Sequence, residues 1–167
     1  MKIAMRHGAV ATLLLAMLAG CASAPLKTEG VATDLTPDAA VSSAAAATGR
    51  TVLWGGVIVS ATNLPHRTRL EIVGYPLDPY SQRPYTDKPP EHRFLAFQQG
   101  YLETAEYRAG RAVTVRGKVT GTEAGHVGDA AYTYPTVQVE ALHLWPQRAA
   151  NEGEPRFHFG IGILLGN

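Results

Sequence analysis

Hydrophobic and polar positions alternate along the middle of the chain with the period of two that is typical of β-strands. The alternation is clearest at residues 112–120, where Val113, Val115 and Val119 share one face and hydroxyl or basic side chains share the other. Four further stretches carry strand signals: residues 52–61, 68–77, 93–98 and 135–145. The pattern therefore predicts five β-strands.

Two of these predicted strands contain an irregularity. Gly55-Gly56 indicates a bulge or a sharp bend in the first, and a change of phase before Leu142 and Leu144 indicates a bulge in the fifth. Only residues 101–109 have helical character, over about two turns. An all-β domain follows, a small five-stranded OB-like β-barrel with one short helix before the fourth strand, and a β-sandwich is the alternative.

The N-terminal residues have the features of a secretory leader. Lys2 and Arg6 provide a positive start, and residues 8–20 form an uncharged, mostly apolar run. That run is too short to span a bilayer, which needs about 20 apolar residues. Residues 1–20 are therefore predicted to be a signal peptide.

The leader ends in a motif that predicts a lipid anchor. Leu18-Ala19-Gly20-Cys21 resembles the bacterial lipobox, and the resemblance implies cleavage before Cys21 and acylation of its thiol. Several acyl chains at one cysteine give permanent membrane attachment, whereas one chain binds only marginally. Ala22 stands where Asp would mark inner-membrane retention, so the outer membrane is expected, with the protein facing the periplasm and surface exposure as the alternative. The alternative is that Cys21 is an unmodified cysteine at the end of a leader that is cleaved elsewhere, such as after Ala24.

A segment of linker-like composition follows the cysteine. Residues 26–50 contain Thr, Ser, Asp and an alanine tract without any aromatic residue. We interpret this segment as a flexible tether, and the alternative is a short helix capped by Thr36 with Pro37 in its first turn. The predicted organisation is a signal peptide, a lipidated N-terminus with a tether, a β-barrel domain and a tail, at residues 1–20, 21–50, 51–146 and 147–167.

Charge and cysteine content exclude several classes of protein. Lys plus Arg is 15 and Asp plus Glu is 14, which gives a formal net charge of +1. Bulk electrostatic binding of nucleic acid needs a basic excess that this chain lacks, so no nucleic-acid partner is expected. The single Cys excludes an intramolecular disulfide and every multi-cysteine metal site.

Several ordered motifs in residues 51–146 resemble the Slp family of starvation-inducible outer-membrane lipoproteins. They are Trp54-Gly55-Gly56-Val57-Ile58, Leu70-Glu71-Ile72-Val73, Tyr75-Pro76-Leu77-Asp78, residues 110–117, Tyr134-Pro135 and His143-Leu144-Trp145. The lipobox agrees with the same family. The resemblance implies a bacterial outer-membrane lipoprotein that is expressed under stress or nutrient limitation, and it implies no catalytic residue.

Candidate catalytic and metal-binding residues lack the spacings that these chemistries require. No histidine pair stands at i, i+4 on a helix or i, i+2 on a strand, and no serine lies in a Gly-x-Ser-x-Gly turn. We therefore expect no catalytic residue, no metal and no cofactor. The rival hypothesis is a periplasmic hydrolase or metal-binding protein that uses Glu71, His92 or His143.

Two predicted loops carry most of the candidate binding residues. Residues 77–92 contain four prolines, and residues 121–134 connect the fourth and fifth strands. Long loops in compact domains are usually functional or disordered, and tyrosine provides large, rigid contact area. We predict a binding rim for an envelope protein or a glycan, made of Tyr80, Arg83, Tyr85, Tyr132 and Tyr134. The alternatives are that these tyrosines only cover the barrel ends, or that the protein is purely structural.

The tail ends in a second alternating pattern. Phe157, Phe159, Ile161 and Ile163 alternate with His158 and glycines, which predicts an extra edge strand. Pairing with another chain and contact with lipid are the alternatives.

Overall fold

A computed structural model describes residues 24–147 as a five-stranded β-domain with two short helices. The strands are β1 Thr51–Leu64, β2 Arg67–Tyr75, β3 Arg93–Gln99, β4 Ala112–Val127 and β5 Ala130–Leu144. The helices, α1 Pro37–Ser42 and α2 Ala44–Ala47, precede them. Cys21, the predicted leader and residues 148–167, with the predicted tail strand, lie outside the described residues. None of the helices within residues 24–147 is long and apolar enough to cross a membrane.

The strands close into a barrel in the order β1-β2-β3-β5-β4. Neighbouring strands are antiparallel except β3 and β5, which pair in parallel through Leu95, Ala96 and Phe97. This is a five-stranded Greek-key barrel of the OB type. The predicted all-β class and OB-like barrel are confirmed, and the β-sandwich alternative is excluded.

The alternating positions of the strands form the core. Val113, Val115 and Val119 of β4 are buried, as their period of two predicted. They pack with inward residues of the other strands, and Trp54 meets Phe94 edge to face at a ring-centroid distance of 5.4 Å. The barrel interior is thus filled by side chains and is not a channel.

The two expected irregularities have different outcomes. β5 is bulged at Glu140, between the pairs Gly117–Val139 and Arg116–Ala141, which confirms the predicted phase change. In β1 the bulge falls between Ile58 and Ser60 rather than at Gly55-Gly56. Gly56 instead allows close approach, because a Cβ there would lie 1.9 Å from the Val73 carbonyl oxygen.

The predicted loop at residues 121–134 is wrong, because these residues form the β4–β5 hairpin. The strands stay paired to Val127 and Ala130, and Gly128-Asp129 makes the two-residue turn. Gly128 has φ +59°, which suits the first central position of a type II′ turn. Tyr134 packs with the outward side chains Leu95 and Phe97, so contacts with β3 hold this hairpin in place.

The predicted flexible tether also differs from the structure. Residues 26–50, which we call the N-terminal strap, pack on the barrel, and Leu35, Ala40 and Ala47 are buried. The Thr36 hydroxyl accepts from the Ala39 amide with Pro37 in the first turn, so the capped helix is the correct alternative. Alanines pack closely where larger side chains would not fit, which explains why a sequence with a linker-like composition can still be part of the core.

The short helix expected at residues 101–109 is wrong as well. This segment makes one turn, in which the Glu106 and Tyr107 amides donate to the Glu103 carbonyl. The Leu102 amide instead donates to the Thr68 hydroxyl at 2.9 Å. Leu102 and Tyr107 both pack against the core. Their spacing of five places them on different faces of a helix, so barrel packing selects an irregular path.

Candidate functional site

Residues 77–92, which we call the tyrosine loop, are ordered around the carboxylate of Asp78. This carboxylate accepts from the backbone N–H groups of Ser81 at 2.7 Å and Tyr80 at 3.0 Å, and from the hydroxyls of Ser81 and Tyr85. The Ser81 amide and then the Tyr85 hydroxyl lower the pKa of Asp78 to about 2. In turn, the hydrogen bond to Asp78 raises the pKa of Tyr85. Asp78 is therefore ionised and saturated with donors, so it shapes the loop and does not supply a proton.

The outer side of the tyrosine loop is open to solvent. Tyr80 is 84% exposed, whereas Tyr85 is half-buried against Asp78. The Arg83 guanidinium lies over the Trp145 ring at 5.4 Å and donates to the Pro146 carbonyl at 3.4 Å. Beside them is an open cleft of about 430 Å³, lined by Asp78, Ser81, Arg83, Pro84, Tyr85, Thr86, Asp87 and Ala112. Arg83 and Tyr85 of the predicted rim thus line this cleft, and Tyr80 lies on the same loop.

Tyr132 and Tyr134 form a second, separate group on the β4–β5 hairpin. Their rings are 4.7 Å apart, and Tyr132 stacks on His92 at 4.4 Å. Tyr134 is only 5% exposed, and its hydroxyl lies 3.2 Å from Glu71 Oε1 and 2.9 Å from the His126 carbonyl oxygen. Burial and then the charge of Glu71 raise the pKa of Tyr134. This pair supports the hairpin, and none of its described aromatic contacts reaches Tyr80 or Tyr85.

The residues of the rival hydrolase or metal hypothesis make structural contacts. Glu71 forms an ion pair with Arg93 at 2.8 Å. His92 Nε2 lies 2.8 Å from the Thr133 carbonyl oxygen, and its Nδ1 lies 3.3 Å from Asp38 of α1. The His143 ring meets Trp145 edge to face at 4.4 Å. Within residues 24–147, no three His, Cys, Asp or Glu side chains are grouped as a metal site would need.

A groove between the N-terminal strap and the tyrosine loop is a feature that sequence reasoning missed. It has a volume of about 450 Å³, and its apolar walls include Leu35, Leu53, Trp54, Leu77 and Pro79. Glu91 also lines it, and burial followed by the charge of Asp38 raises the pKa of this carboxyl. The groove exists only because the strap packs on the barrel. The Thr36-Pro37 capping signal was therefore the clue to it.

Gln82 joins the strap to the tyrosine loop. Its side-chain amide donates to the Leu26 carbonyl at 2.7 Å, and its Oε1 accepts from the Leu26 amide at 3.0 Å. Gln82 is only 2% exposed and has φ +63°, and its carbonyl accepts from the Thr114 hydroxyl at 2.7 Å. The two hydrogen bonds pin the chain at Leu26, and no sequence signal had identified this residue.

Comparison with known proteins relates the chain to bacterial lipoproteins. A profile of the outer membrane lipoprotein Slp family matches residues 18–161. An uncharacterized lipoprotein of Escherichia coli K12, YeaY, is 31% identical over 140 residues, covering 83% of this chain and 72% of that protein. An uncharacterized protein of Haemophilus influenzae Rd is 34% identical over 96 residues, which cover 58% of this chain and about half (52%) of that relative.

Two solved structures match part of the chain at low TM-scores. They are the mitochondrial single-stranded DNA binding protein Rim1 of Saccharomyces cerevisiae and the small single-stranded DNA-binding protein of Streptomyces coelicolor. Their TM-scores are 0.36 and 0.34, each at 15% identity, and each match covers 57% of this chain and 94% of the other.

Proposed function

The chain belongs to the outer membrane lipoprotein Slp family, and from that premise we propose that it acts as a non-enzymatic contact module of the cell envelope during stress or starvation. In this proposal acyl chains on Cys21 hold the protein in the outer membrane, on the periplasmic side. The tyrosine loop makes the contact, with Tyr80, Arg83 and Tyr85 as the binding surface for an envelope protein or a glycan.

One observation carries the proposal: Tyr80 is 84% exposed on a loop that is already ordered. Asp78 fixes the loop through two amides and two hydroxyls, so little conformational entropy is left to lose on binding. An exposed tyrosine on an ordered support offers a rigid apolar face with a polar tip. These are the properties of a contact residue.

The candidate polar side chains already make hydrogen bonds or ion pairs within the domain, which supports a non-enzymatic role. A general acid or base needs a pKa near the working pH and a free position for substrate. Asp78 has a pKa of about 2 and four donors, and Glu71 is paired with Arg93. His92 is held between Asp38 and the Thr133 carbonyl. These groups serve the fold.

Anchoring is tested by changing Cys21 to Ser in the full chain. We expect the wild type to incorporate labelled palmitate and to fractionate with the outer membrane, protected from external protease in intact cells. The variant should remain an uncleaved, unlabelled precursor. Normal processing of the variant would refute lipidation at Cys21, and protease sensitivity of the wild type would refute the periplasmic orientation.

The contact role is tested by placing a photo-crosslinking residue at position 80 in living cells. Position 101 is the matched control, because Tyr101 is also an exposed aromatic, at 68%, but lies beside the β1–β2 turn. We expect an adduct from position 80, more abundant in starved cells, and none from position 101. Equal adduct formation at both positions would refute a specific surface.

A further inference from the structure

The described chain starts very close to the residue that the proposed anchor modifies. Leu26 is pinned to the buried Gln82 by hydrogen bonds of 2.7 and 3.0 Å, and it lies five positions after Cys21 in the sequence. Five residues extend over at most about 18 Å. Covalent geometry therefore limits how far the point of attachment at Leu26 can lie from the acyl chains.

Part of this length of about 18 Å must span the headgroup layer of the membrane. A headgroup layer is about 5–7 Å thick on each side of the hydrocarbon core. The acylated thiol sits at the boundary of the hydrocarbon, so about 12 Å at most separates Leu26 from the outer edge of the headgroups. The domain therefore cannot stand off from the bilayer as it would on the tether of residues 21–50 that the sequence predicts.

The residues around this attachment point belong to the tyrosine loop. Tyr80 lies two positions before Gln82 in the chain and is the most exposed large hydrophobic side chain among the described residues. Tyrosine is enriched at membrane interfaces because its ring is apolar and its hydroxyl is polar. The loop and the point of attachment thus share one surface of the domain.

The other end of the described domain leaves from the same surface. Arg83, directly after Gln82, donates to the Pro146 carbonyl and lies over the Trp145 ring. Gln82 and Arg83 thus contact the two described chain ends, the second of which is also held by Arg108 and Arg111. This arrangement orients the barrel relative to anything that is attached to either end.

From this geometry we infer that the tyrosine loop faces the bilayer, with the Tyr80 ring in the headgroup layer of the phospholipid leaflet that holds the anchor. The inference rests on the proposed lipidation of Cys21, and it goes beyond the proposed function: lipid, rather than an envelope protein or a glycan, contacts Tyr80 in the anchored protein. Within residues 78–88, Asp78 and Asp87 offset Arg83 and Lys88, so the contact does not require anionic lipid. The anchor supplies the proximity and the tyrosine ring supplies the interfacial contact.

A spin label at position 80 tests the orientation in the lipidated full-length protein. Cys21 is the only cysteine, and acylation consumes its thiol, so Tyr80→Cys provides one unique labelling site. Tyr101→Cys is the matched control, because Tyr101 is also exposed and lies beside the β1–β2 turn. Because Tyr80 makes no buried side-chain contact, its replacement leaves the fold intact. The protein is reconstituted in vesicles of phosphatidylethanolamine with a varied fraction of phosphatidylglycerol.

Electron paramagnetic resonance then measures collisions of each label with oxygen and with a water-soluble nickel complex. We expect position 80 to collide less with nickel and more with oxygen than position 101, equally at every phosphatidylglycerol fraction. Equal nickel accessibility at both positions, in protein that floats with the vesicles, would overturn the inference and leave the anchor intact. Shielding of position 80 that requires an added envelope protein or glycan would also overturn it. Failure to float would instead refute the anchor.

Discussion

A buried indole hydrogen bond is one of the contacts that dock the N-terminal strap, and replacing Trp54 by Phe tests its contribution. Trp54 is 5% exposed, and its Nε1–H donates to the Leu35 carbonyl at 2.7 Å. Phenylalanine keeps an aromatic ring beside Phe94 but removes this donor and part of the ring. The substitution therefore separates the hydrogen bond from most of the packing.

The expected cost follows from the two losses. A buried carbonyl that loses its donor costs about 1–3 kcal/mol. The smaller ring leaves unfilled space in a core where complete truncation of Trp costs about 3–5 kcal/mol, so the missing part contributes about 1 kcal/mol. Together we expect Trp54→Phe to lower the free energy of unfolding by about 2–4 kcal/mol, a large fraction of a typical domain's stability.

Urea unfolding of the mature protein, followed by far-ultraviolet circular dichroism, measures this change. We expect a lower midpoint, and a smaller m-value if the strap leaves the barrel, because less surface is then buried in the native state. Tyr101→Phe is the control, since that exposed side chain should change stability by less than about 0.5 kcal/mol. A loss below about 0.5 kcal/mol for Trp54→Phe would show that the strap does not depend on this contact.

Four further predictions follow from particular contacts. Gln82→Ala should cost about 2–4 kcal/mol in urea unfolding, because the amide and the carbonyl of Leu26 both lose their buried partner; the exposed Gln99→Ala is its control. Glu91→Gln should raise the midpoint of urea unfolding at pH 7. The pKa of Glu91 is raised in the folded protein, so its carboxylate contributes less to the stability of the fold as the pH rises above 4.5. Equal midpoints of the two proteins at pH 7 would contradict this. The ionised Asp78 stabilises the fold above pH 3.8, and this contribution is lost as the pH falls towards about 2. Stability measured against pH should therefore fall over this range in the wild type but not, from this source, in Asp78→Asn. His66→Gly should raise the thermal midpoint, gaining about 0.5–1 kcal/mol at φ +67°, whereas His66→Ala should not.

The barrel strands were predictable because their information is local. In β4 the buried Val113, Val115 and Val119 recur every second residue, and one face of the strand meets the core throughout. The bulge at Glu140 could be seen as a change of phase for the same reason. Where one face of a strand is buried along its length, apolar and polar residues alternate, and the strand can be predicted from that alternation.

The β4–β5 hairpin and the strap were missed because tertiary contacts select them. Residues 121–134 show no apolar alternation, and Gly128-Asp129 was the one turn signal within them. Their strands persist because Tyr132 and Tyr134 pack against the outer face of β3. The alanines of the strap are short enough to fit closely, so their burial leaves no strong hydrophobic signal.

The accessibility of the residues in the predicted binding rim could not be read from the sequence, for a related reason. Residue type identified the tyrosines, but hydrogen-bond partners distant in sequence decide which of them remain accessible. Tyr134 is buried between Glu71 and the His126 carbonyl, whereas the Tyr80 side chain makes no hydrogen bond within residues 24–147 and is exposed there. Gln82 could not be found at all, because its role exists only once Leu26 is beside it.

The parallel pairing of β3 and β5 has a consequence for how the barrel opens. It runs through Leu95, Ala96 and Phe97, whereas β4 and β5 are paired along almost their entire length. Local opening is favoured where few backbone hydrogen bonds must break, so we expect this seam to open before the other strand pairs.

Two tyrosines of the β4–β5 hairpin make hydrogen bonds across that seam. The Tyr134 hydroxyl reaches Glu71 on β2, and the Tyr132 hydroxyl accepts from the Arg93 amide at the start of β3. Each contact must break before β3 can separate from β5. The two tyrosines that we expected to recognise a partner therefore also tie β5 to β2 and β3 across this seam.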